Sequence, residues 1–419
     1  MNSIENNWLE KDLKGVGYKQ YLRKLSILKY LYFEGKMPKR ELSNRTRMSP
    51  PTVNKLIEEL QEIDLIKDYG LGEANQKGGP RPTYFGINPD ARYIIAIDVE
   101  TYNTKIAVFN LVKTIIGDVR TISIRIQDDT DKITDLIKSA IGKHIEALGI
   151  NKNKIIGAGI ALKGLVNYDL GESYTYLTHE SMTTKEMLEK KLGIPVVIEN
   201  DARVMALAES QFGLAQNISN VLCLNVNWGL GLGIIVNDKL YNGNDGLAGE
   251  FGHIQVEKEG LLCDCGMIGC LETVASGNTL RRLAIEGLEK KVPTRLEKIV
   301  GEDISKLDIQ TIIETANQGD QFATSVLSDV GYNLGRGISY LLHIFNPEKI
   351  IIGGIVSLAG KYILDPVNYS LNKYSMAQIR NKTEVHVSKL GKKSVILGAY
   401  AVFIRALFAE IENVEYSAL

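Results

Sequence analysis

The chain has 419 residues, of which 44% are hydrophobic and 24% charged, a composition typical of a globular protein with room for two or three domains. Its net charge of −1 excludes a general attraction to nucleic acid or to acidic membranes, so such binding would need a local excess of charge. The N-terminus is too polar for the apolar core of a signal peptide, and no run of 18 apolar residues follows it. We therefore expect a cytoplasmic protein with reduced thiols and no membrane partner.

The first ninety residues predict a small basic domain. Residues 11–56 contain twelve Lys and Arg against three acidic residues, a local charge of +9. Apolar residues recur at helical spacing from Tyr18 to Phe33, and a second short helix is expected after Met37 and Pro38. Ser49 offers an N-cap to a third helix that opens with two prolines. Two strands around a glycine- and proline-rich tip are then predicted from the segments LIKDYG and TYFGIN.

The third helix and the hairpin tip carry the residues that we expect to contact DNA. Small polar and basic side chains on the first turns of such a helix suit base edges in a major groove, and a basic hairpin tip suits phosphates or a minor groove. These residues are Thr52, Asn54, Lys55, Lys77 and Arg81. A basic domain for protein contacts is the alternative. The order of the helices, the hairpin and the charge favour a winged helix-turn-helix over residues 1–88, with double-stranded DNA as its partner.

Residues 89–419 predict an α/β region in which one unit occurs twice. Two strands joined by a turn are expected at residues 93–110, and a comparable pattern recurs at residues 221–243. Helical segments follow each pair, which indicates an internally duplicated fold with a ligand cleft between its halves. We place one lobe at about residues 89–200 with the C-terminal helix and the other at residues 201–395. The C-terminal helix is strongly apolar and should pack on the core or on a partner subunit.

Polar residues at the end of one predicted strand indicate a ligand site. Asn200 and Asp201 follow the apolar run GIPVVIE and precede a helix. The carboxyl end of a buried strand is where α/β proteins place ligand contacts. Asn200 can donate and accept toward a sugar hydroxyl, and Asp201 can take a hydroxyl proton as a general base. The alternative for this Asn-Asp pair is a helix N-cap, which alone would explain Asp201.

Two predicted turns could hold phosphates, since small turns supply backbone N–H groups, but their residues are unfavourable for it. The first turn, residues 98–103, has no glycine and carries the carboxylate of Glu100. The second, residues 227–233, has three glycines but also the bulky Trp228. The carboxylate of Glu100 would repel a phosphate and the bulk of Trp228 would obstruct its approach to the backbone, so we expect that ATP is not bound. Gly353 and Gly354 end a later strand, where they would border a nucleotide or begin the next helix.

Three of the four cysteines cluster with a histidine within residues 250–272. Three thiolates and one imidazole can complete a tetrahedral zinc site that has no open position for catalysis. Gly266 and Gly269 would let the backbone turn tightly between the ligands, because glycine tolerates positive φ. Free thiols or disulfides are the alternative, but the CxC and CGxxGC spacing favours structural zinc. The proposed ligands are His253, Cys263, Cys265 and Cys270.

The chain resembles the ROK family of repressors and sugar kinases over about residues 18–410. The resemblance is carried by Glu199-Asn200-Asp201-Ala202, by GEFGH at residues 249–253 and by CDCGMIGCLETVAS at residues 263–276. It implies an α/β fold with duplicated, actin-like and hexokinase-type (ribonuclease H-like) lobes, and zinc held by the Cys3His set. The winged helix is similar to the branch typified by the xylose and N-acetylglucosamine repressors. The resemblance also implies sugar contacts from Asn200, Asp201, Glu250, His253 and Glu272.

Departures from the family's kinases predict a regulator rather than an enzyme. The kinases carry DxGGT where this chain has DVETY, and GTGxG where it has NWGLG, while Lys163 replaces a usual proline before Gly164. Asp201, the base in the kinases, is retained as a vestigial base. We expect a repressor of carbohydrate genes that responds to a sugar or sugar phosphate and binds a palindromic operator as a homodimer or dimer of dimers. A sugar kinase with an added DNA-binding domain and a metal-sensing regulator are the alternatives.

Overall fold

The computed structural model describes Leu9 and residues 15–72, 81–301 and 303–417, with side chains as far as Ile411. These residues belong to two compact units. The first unit comprises Met1–Lys163, Tyr168–Ile198 and Ala399–Leu419, and the second comprises Gly164–Asn167 and Glu199–Gly398.

The N-terminal part of the first unit combines helices with a three-stranded antiparallel sheet of order β1-β3-β2. Its elements are α1 (Gly15–Phe33), β1 (Met37–Pro38), α2 (Lys39–Thr46), α3 (Pro50–Glu62), β2 (Ile66–Leu71) and β3 (Thr83–Ile87). The predicted helices and hairpin are confirmed, and β1 is an additional strand. Ser49 caps α3, because its hydroxyl accepts from the N–H of Thr52 at 3.4 Å and prolines fill the first helical turn. The tip with Lys77 lies outside the described residues.

Two five-stranded sheets share one topology, which confirms the predicted duplication. In each sheet an antiparallel hairpin is extended by a third antiparallel strand on one side and by a parallel strand on the other. The first sheet has the order β10-β7-β4-β5-β6 and the second the order β13-β12-β11-β14-β15. The strands are β4 (Tyr93–Val99), β5 (Asn103–Asn110), β6 (Ile115–Ser123), β7 (Ile155–Leu162), β8 (Val166–Asn167), β9 (Glu172–Ser173), β10 (Val196–Asn200), β11 (Val221–Val226), β12 (Leu230–Val236), β13 (Lys239–Leu240), β14 (Lys349–Gly353) and β15 (Glu384–Val387).

Helices connect the strands of both sheets. They are α4 (Thr130–Ala147), α5 (Thr184–Leu192), α6 (Asp201–Phe212), α7 (Gly277–Glu289), α8 (Leu296–Val300), α9 (Ile309–Asn317), α10 (Gln321–Phe345), α11 (Lys361–Tyr374), α12 (Ala377–Arg380) and α13 (Ser394–Ser417). The core of the second unit lies between its sheet and this helical layer, where Leu224 of β11 belongs to one apolar cluster with Leu334 of α10 and Val367 of α11. Gly335 permits close packing of α10 on α11, since a Cβ there would lie 2.6 Å from the carbonyl oxygen of Val367.

The C-terminal helix α13 packs on the core, which is one of the two alternatives predicted for it. The ring of Tyr400 stacks on Phe109 of β5 at 4.5 Å between centroids. Gly159 of β7 lies close to the backbone of α13, because a Cβ at this glycine would lie 1.8 Å from the carbonyl oxygen of Ala399. Within the described residues, Gly391–Ile411 is the segment long and apolar enough to span a membrane, and 78% of its apolar window is buried inside the protein. The apolar character of α13 is therefore accounted for by packing on the core.

Candidate functional site

The cysteine cluster lies in a segment of the second unit between β13 and α7 that is built from turns. Short 3-10 turns at Phe251–His253 and Leu271–Thr273 begin and end it, and single antiparallel bridges join Gln255 to Cys270 and Leu262 to Ile268. Gly266 and Gly269 have φ values of 88° and 74°, as predicted for the turns between the cysteines. This backbone directs the four candidate ligands toward one point.

The four donor atoms of His253, Cys263, Cys265 and Cys270 all lie within 4.8 Å of one another. The Sγ atoms of Cys265 and Cys270 are 3.7 Å apart, and Cys263 Sγ lies 3.6 Å from Nδ1 of His253. A zinc ion with Zn–S bonds of about 2.3 Å places tetrahedral ligands roughly 3.8 Å apart. The cluster can therefore hold a metal ion, and its donors and spacing fit zinc.

Burial opposes ionisation of two of the three thiols in this cluster. Burial, reinforced by the neighbouring thiols, raises the pKa of Cys270 to about 12, and burial raises the pKa of Cys263 as well. Burial acts in the same direction on Cys265, but the N–H of Met267 and hydrogen bonds with the other two thiols lower its pKa overall. A bound dication would offset the effect of burial, since metal ligation deprotonates thiols.

The ring of His253 faces the cysteines on one side and Glu250 on the other. Its Nδ1 atom points at Cys263, while Nε2 lies 4.0 Å from a carboxylate oxygen of Glu250. Burial raises the pKa of Glu250; the nearby Glu272 adds to this rise, and His253 and Arg203 oppose it. One imidazole thus lies between the cysteine cluster and the carboxylate of Glu250.

Asn200 ends β10 and caps α6. Its Oδ1 atom accepts from the N–H groups of Ala202 at 2.9 Å and Arg203 at 3.2 Å, and its Nδ2 donates to the carbonyl oxygen of Gly164 at 2.9 Å. The N-cap alternative for the Asn-Asp pair is therefore present in the structure: Asn200 is the capping residue, and Asp201 is the first helical residue, with Oδ1 accepting from the N–H of Ala202 at 2.8 Å. One oxygen of the Asp201 carboxylate accepts from Nδ2 of Asn225 on β11 at 3.2 Å. The amide of Asn225, which sequence reasoning missed, orients this carboxylate.

The glycines of the second turn let protein groups approach the start of β12. The carboxylate of Glu272 accepts from the N–H of Leu230 at 2.7 Å, and a Cβ on Gly229 would lie 2.5 Å from it. A Cβ on Gly231 would lie 2.7 Å from Cβ of Ala202, next to Asp201 on α6. A Cβ on Gly252 would lie 2.3 Å from the carbonyl oxygen of Leu230. Three segments, which carry Asp201, Glu250 with His253, and Glu272, thus meet around the first residues of β12.

Arg203, near the start of α6, was also missed; its partner Glu199 lies four residues earlier, on β10. Its side chain is 2% exposed and that of Glu199 is fully buried, and Nε donates to Oε1 of Glu199 at 2.7 Å. Its Nη1 donates to the carbonyl oxygen of Ala248 at 3.3 Å, and its Nη2 donates to that of Val166. Arg203 therefore joins three backbone segments at the polar cluster.

A cation on β5, beside the first turn in the first unit, changes the expectation for Glu100. Nζ of Lys105 lies 3.5 Å from Oδ2 of Asp98 and forms a closer contact with Glu100. Burial lowers the pKa of Lys105, but the two carboxylates raise it more, so it is raised overall. The carboxylate of Glu100 is balanced by this ammonium, which weakens the expected repulsion of phosphate. In the second turn, Trp228 packs against the apolar cluster of the second unit.

Of the residues predicted to contact DNA, those that the structure describes lie on α3 and just before β3. The face of α3 with Val53 and Leu56 is buried, while Asn54 and Lys55 point to solvent. The Thr52 and Ser49 hydroxyls are 2.8 Å apart, so Thr52 belongs to the N-terminal cap of α3. Among the described candidates for DNA contact, three have exposed polar side chains. These are Asn54, the 72% exposed Lys55, whose Nζ lies 3.8 Å from Glu59, and the exposed Arg81 before β3.

Comparisons with known proteins agree with this organisation. A model of the ROK family matches residues 94–406, and a model of winged helix-turn-helix DNA-binding domains matches residues 22–67. The xylose repressor of Caldicellulosiruptor bescii is 30% identical over 390 residues, 91% of this chain and 95% of that protein. The glucokinase of Halalkalibacterium halodurans is 33% identical over 313 residues, 73% of this chain and 93% of the enzyme. A crystal structure of a ROK family transcriptional regulator, a homolog of the E. coli MLC protein, aligns with a TM-score of 0.76 and 26% identity over 94% of this chain and 97% of that chain.

The fold and the site define a protein in which a winged helix-turn-helix precedes a duplicated, actin-like and hexokinase-type α/β region. The chain belongs to the ROK family. The predicted family and fold class are confirmed by these matches, and relatives that span both parts of the chain include a named repressor.

Proposed function

We propose that this protein is a sugar-responsive transcriptional regulator, most simply a repressor of carbohydrate-metabolism genes in the cytoplasm. The observation that carries the proposal is the presence, in one chain, of a winged helix-turn-helix and a ROK region with the polar cluster around β12. Residues 1–88 would bind operator DNA, and residues 89–419 would bind the effector. The named function of the xylose repressor supports the same assignment.

The polar cluster has the chemistry needed to hold a sugar. Carboxylates accept hydrogen bonds from hydroxyl groups, and such charge-assisted bonds are stronger than neutral ones. We assign sugar-hydroxyl contacts to Asn200, Asp201, Glu250, His253 and Glu272. Asp201 would act as an acceptor that fixes one hydroxyl, with Asn225 holding its second oxygen. The effector is therefore a polyhydroxylated ring, either free or phosphorylated.

Zinc would serve as a structural brace for this cluster. The Cys3His set offers four ligands and leaves no open coordination position, which is typical of structural rather than catalytic zinc. Because His253 would ligate zinc through Nδ1 and face Glu250 through Nε2, the metal would orient the ring toward the sugar. Metal analysis of protein purified under reducing conditions tests this: about one zinc per chain is expected, and its absence would refute the brace.

A kinase is the second candidate function, favoured by the similarity to a glucokinase and by the retained Asp201. Two observations support loss of the ATP site instead. The single ammonium of Lys105 pairs with both Asp98 and Glu100, so although it weakens their repulsion of phosphate, it also engages the carboxylates that a phosphate-bound magnesium would use. Glu272 occupies the N–H of Leu230 in the second turn. A coupled ATP assay with a sugar panel decides, because turnover above background would establish the kinase.

Operator binding would use a symmetric assembly, since two-fold repressors match palindromic half-sites. We propose a homodimer or a dimer of dimers, which light scattering tests directly. A thermal-shift screen of sugars and sugar phosphates should identify the effector, because a ligand that binds only the native state stabilises it by RT ln(1 + [L]/Kd). The effector found should then change the affinity for DNA from the protein's own promoter region. If no sugar or sugar phosphate stabilises the protein, or if the effector leaves its affinity for DNA unchanged, the proposed regulator is rejected.

A further inference from the structure

Arg203 contacts two loops that border the proposed sugar site, and both loops belong to the second unit. The first loop is residues 164–167, whose Val166 carbonyl oxygen accepts from Nη2 of Arg203. The second is residues 242–250, whose Ala248 carbonyl oxygen accepts from Nη1 at 3.3 Å. Gly249 and Glu250 follow Ala248 directly in the chain. A guanidinium on α6 therefore holds the backbone two residues before a proposed sugar ligand.

Two amides connect the same segments. Nδ2 of Asn167 donates to the carbonyl oxygen of Asp245 at 2.8 Å, which ties the first loop to the second. Nδ2 of Asn200 donates to the carbonyl oxygen of Gly164 at 2.9 Å, which ties the first loop to the end of β10. Of Asn167, Asn200 and Arg203, it is Arg203 that donates hydrogen bonds to both loops. Its planar fork of N–H groups suits this task better than a lysine ammonium would.

The charge of Arg203 is balanced inside the protein rather than available to a ligand. Glu199 is fully buried and accepts from Nε of Arg203 at 2.7 Å and from the N–H of Asn200 at 2.7 Å. A buried ion pair of this kind is weak evidence for stability, since apolar residues of the same volume often replace such pairs without loss. The directional hydrogen bonds of Arg203 to two loops indicate that it fixes the position of these loops.

We infer that Arg203, held by Glu199, is a positioning residue for effector binding: it sets the loops at residues 164–167 and 242–250 so that Glu250 and Asn200 face the sugar together. This inference rests on the proposed sugar site. It predicts that loss of Arg203 weakens effector binding while zinc binding and effector-free operator binding persist, because, in the described part of the chain, Arg203 hydrogen-bonds to no residue of the Cys3His set and to none of the winged domain.

The test is the double variant Glu199→Gln, Arg203→Met, which removes both charges and so avoids an unpaired buried carboxylate. In the full-length, zinc-loaded protein we expect effector affinity, measured by calorimetry with the sugar from the thermal-shift screen, to fall at least tenfold. Amide hydrogen exchange at residues 164–167 and 246–250 should become faster. Arg203→Lys should recover part of the affinity, because an ammonium can reach one carbonyl but not span both loops.

Arg281→Met is the matched control, since Nε of Arg281 donates to the carbonyl oxygen of Leu307 at 2.7 Å in the same unit but contacts neither loop. Its effector affinity should stay within twofold of the parent protein. Unchanged affinity and unchanged exchange in the double variant would overturn the inference. If the parent protein binds no sugar, the proposed function fails, and the exchange at the two loops still decides whether Arg203 positions them. If the double variant does not fold, Arg203→Lys supplies both measurements.

Discussion

Replacing Lys105 with methionine tests the charge balance of the first turn, because the substitution removes the ammonium and retains most of the aliphatic stem. Lys105 is 20% exposed, and its partners Asp98 and Glu100 are 3% and 31% exposed. Asp98 lies directly opposite Lys105 in the antiparallel register of β4 and β5. Without the ammonium, two carboxylates would remain close together, one of them buried.

The size of the effect follows from this burial. Removing one partner of a fully buried pair costs about 3–5 kcal/mol, because an uncompensated charge remains. Lys105 and Glu100 are partly open to water, which screens the loss, so we expect Lys105→Met to reduce the free energy of unfolding by roughly 2 kcal/mol. The pKa of Lys105 is raised above its ordinary value of 10.5. A raised lysine pKa contributes stability that is present below the unfolded-state value and is lost as pH rises through the folded-state value. The gap between parent and variant should therefore be constant from about pH 6 to 9.

Lys132→Met is the matched control, since its Nζ is also 3.5 Å from a carboxylate oxygen, that of Asp128, but the two side chains are 63% and 35% exposed. An exposed i, i+4 pair contributes about 0.3–0.5 kcal/mol, so the control should lose no more than that. Urea unfolding of both variants measures the difference. If Lys105→Met is no more destabilising than Lys132→Met, the ammonium does not balance a buried carboxylate, and this support for a lost ATP site disappears.

The other predictions concern metal, DNA and sugar. Cys265→Ala should abolish stoichiometric zinc and weaken the sugar response, whereas Cys223→Ala, which lies outside the cluster, should keep zinc by elemental analysis. Lys55→Gln or Arg81→Gln should weaken operator binding. Each should also reduce the slope of log affinity against log salt by about 0.9 for every phosphate that is no longer neutralised. Unchanged affinity across salt concentrations would count against these two residues as DNA ligands. Asp201→Asn should weaken sugar binding about tenfold or more, because a charged hydrogen bond contributes about 1.5–3 kcal/mol, and calorimetry that finds parent affinity would remove Asp201 from the site.

Features with short-range chemical causes were predictable from the chain. The start of α3 follows from Ser49 and two prolines, since capping and fixed φ act within one turn. The Cys3His cluster spans residues 253–270, and glycines at positive φ turn its backbone, so spacing and composition were enough to indicate these four residues as candidate ligands. The duplicated strands were found from their apolar pattern, because burial selects β-branched residues in each copy. The role of Lys77 in DNA binding stays a prediction, since that residue lies outside the described part of the chain.

Features that depend on which strands and loops become neighbours were decided only by the tertiary structure. Lys105 balances Asp98 because the register of two strands places them opposite each other. Glu272 reaches the N–H of Leu230 across 42 residues of sequence, and Arg203 reaches two carbonyl groups 37 and 45 residues away. The sequence by itself determined the family, the element types and the candidate ligands, since these follow from local pattern. The folded chain alone decided how their charges and donors are satisfied, because most buried polar groups are paired, and the fold determines which partners lie beside them.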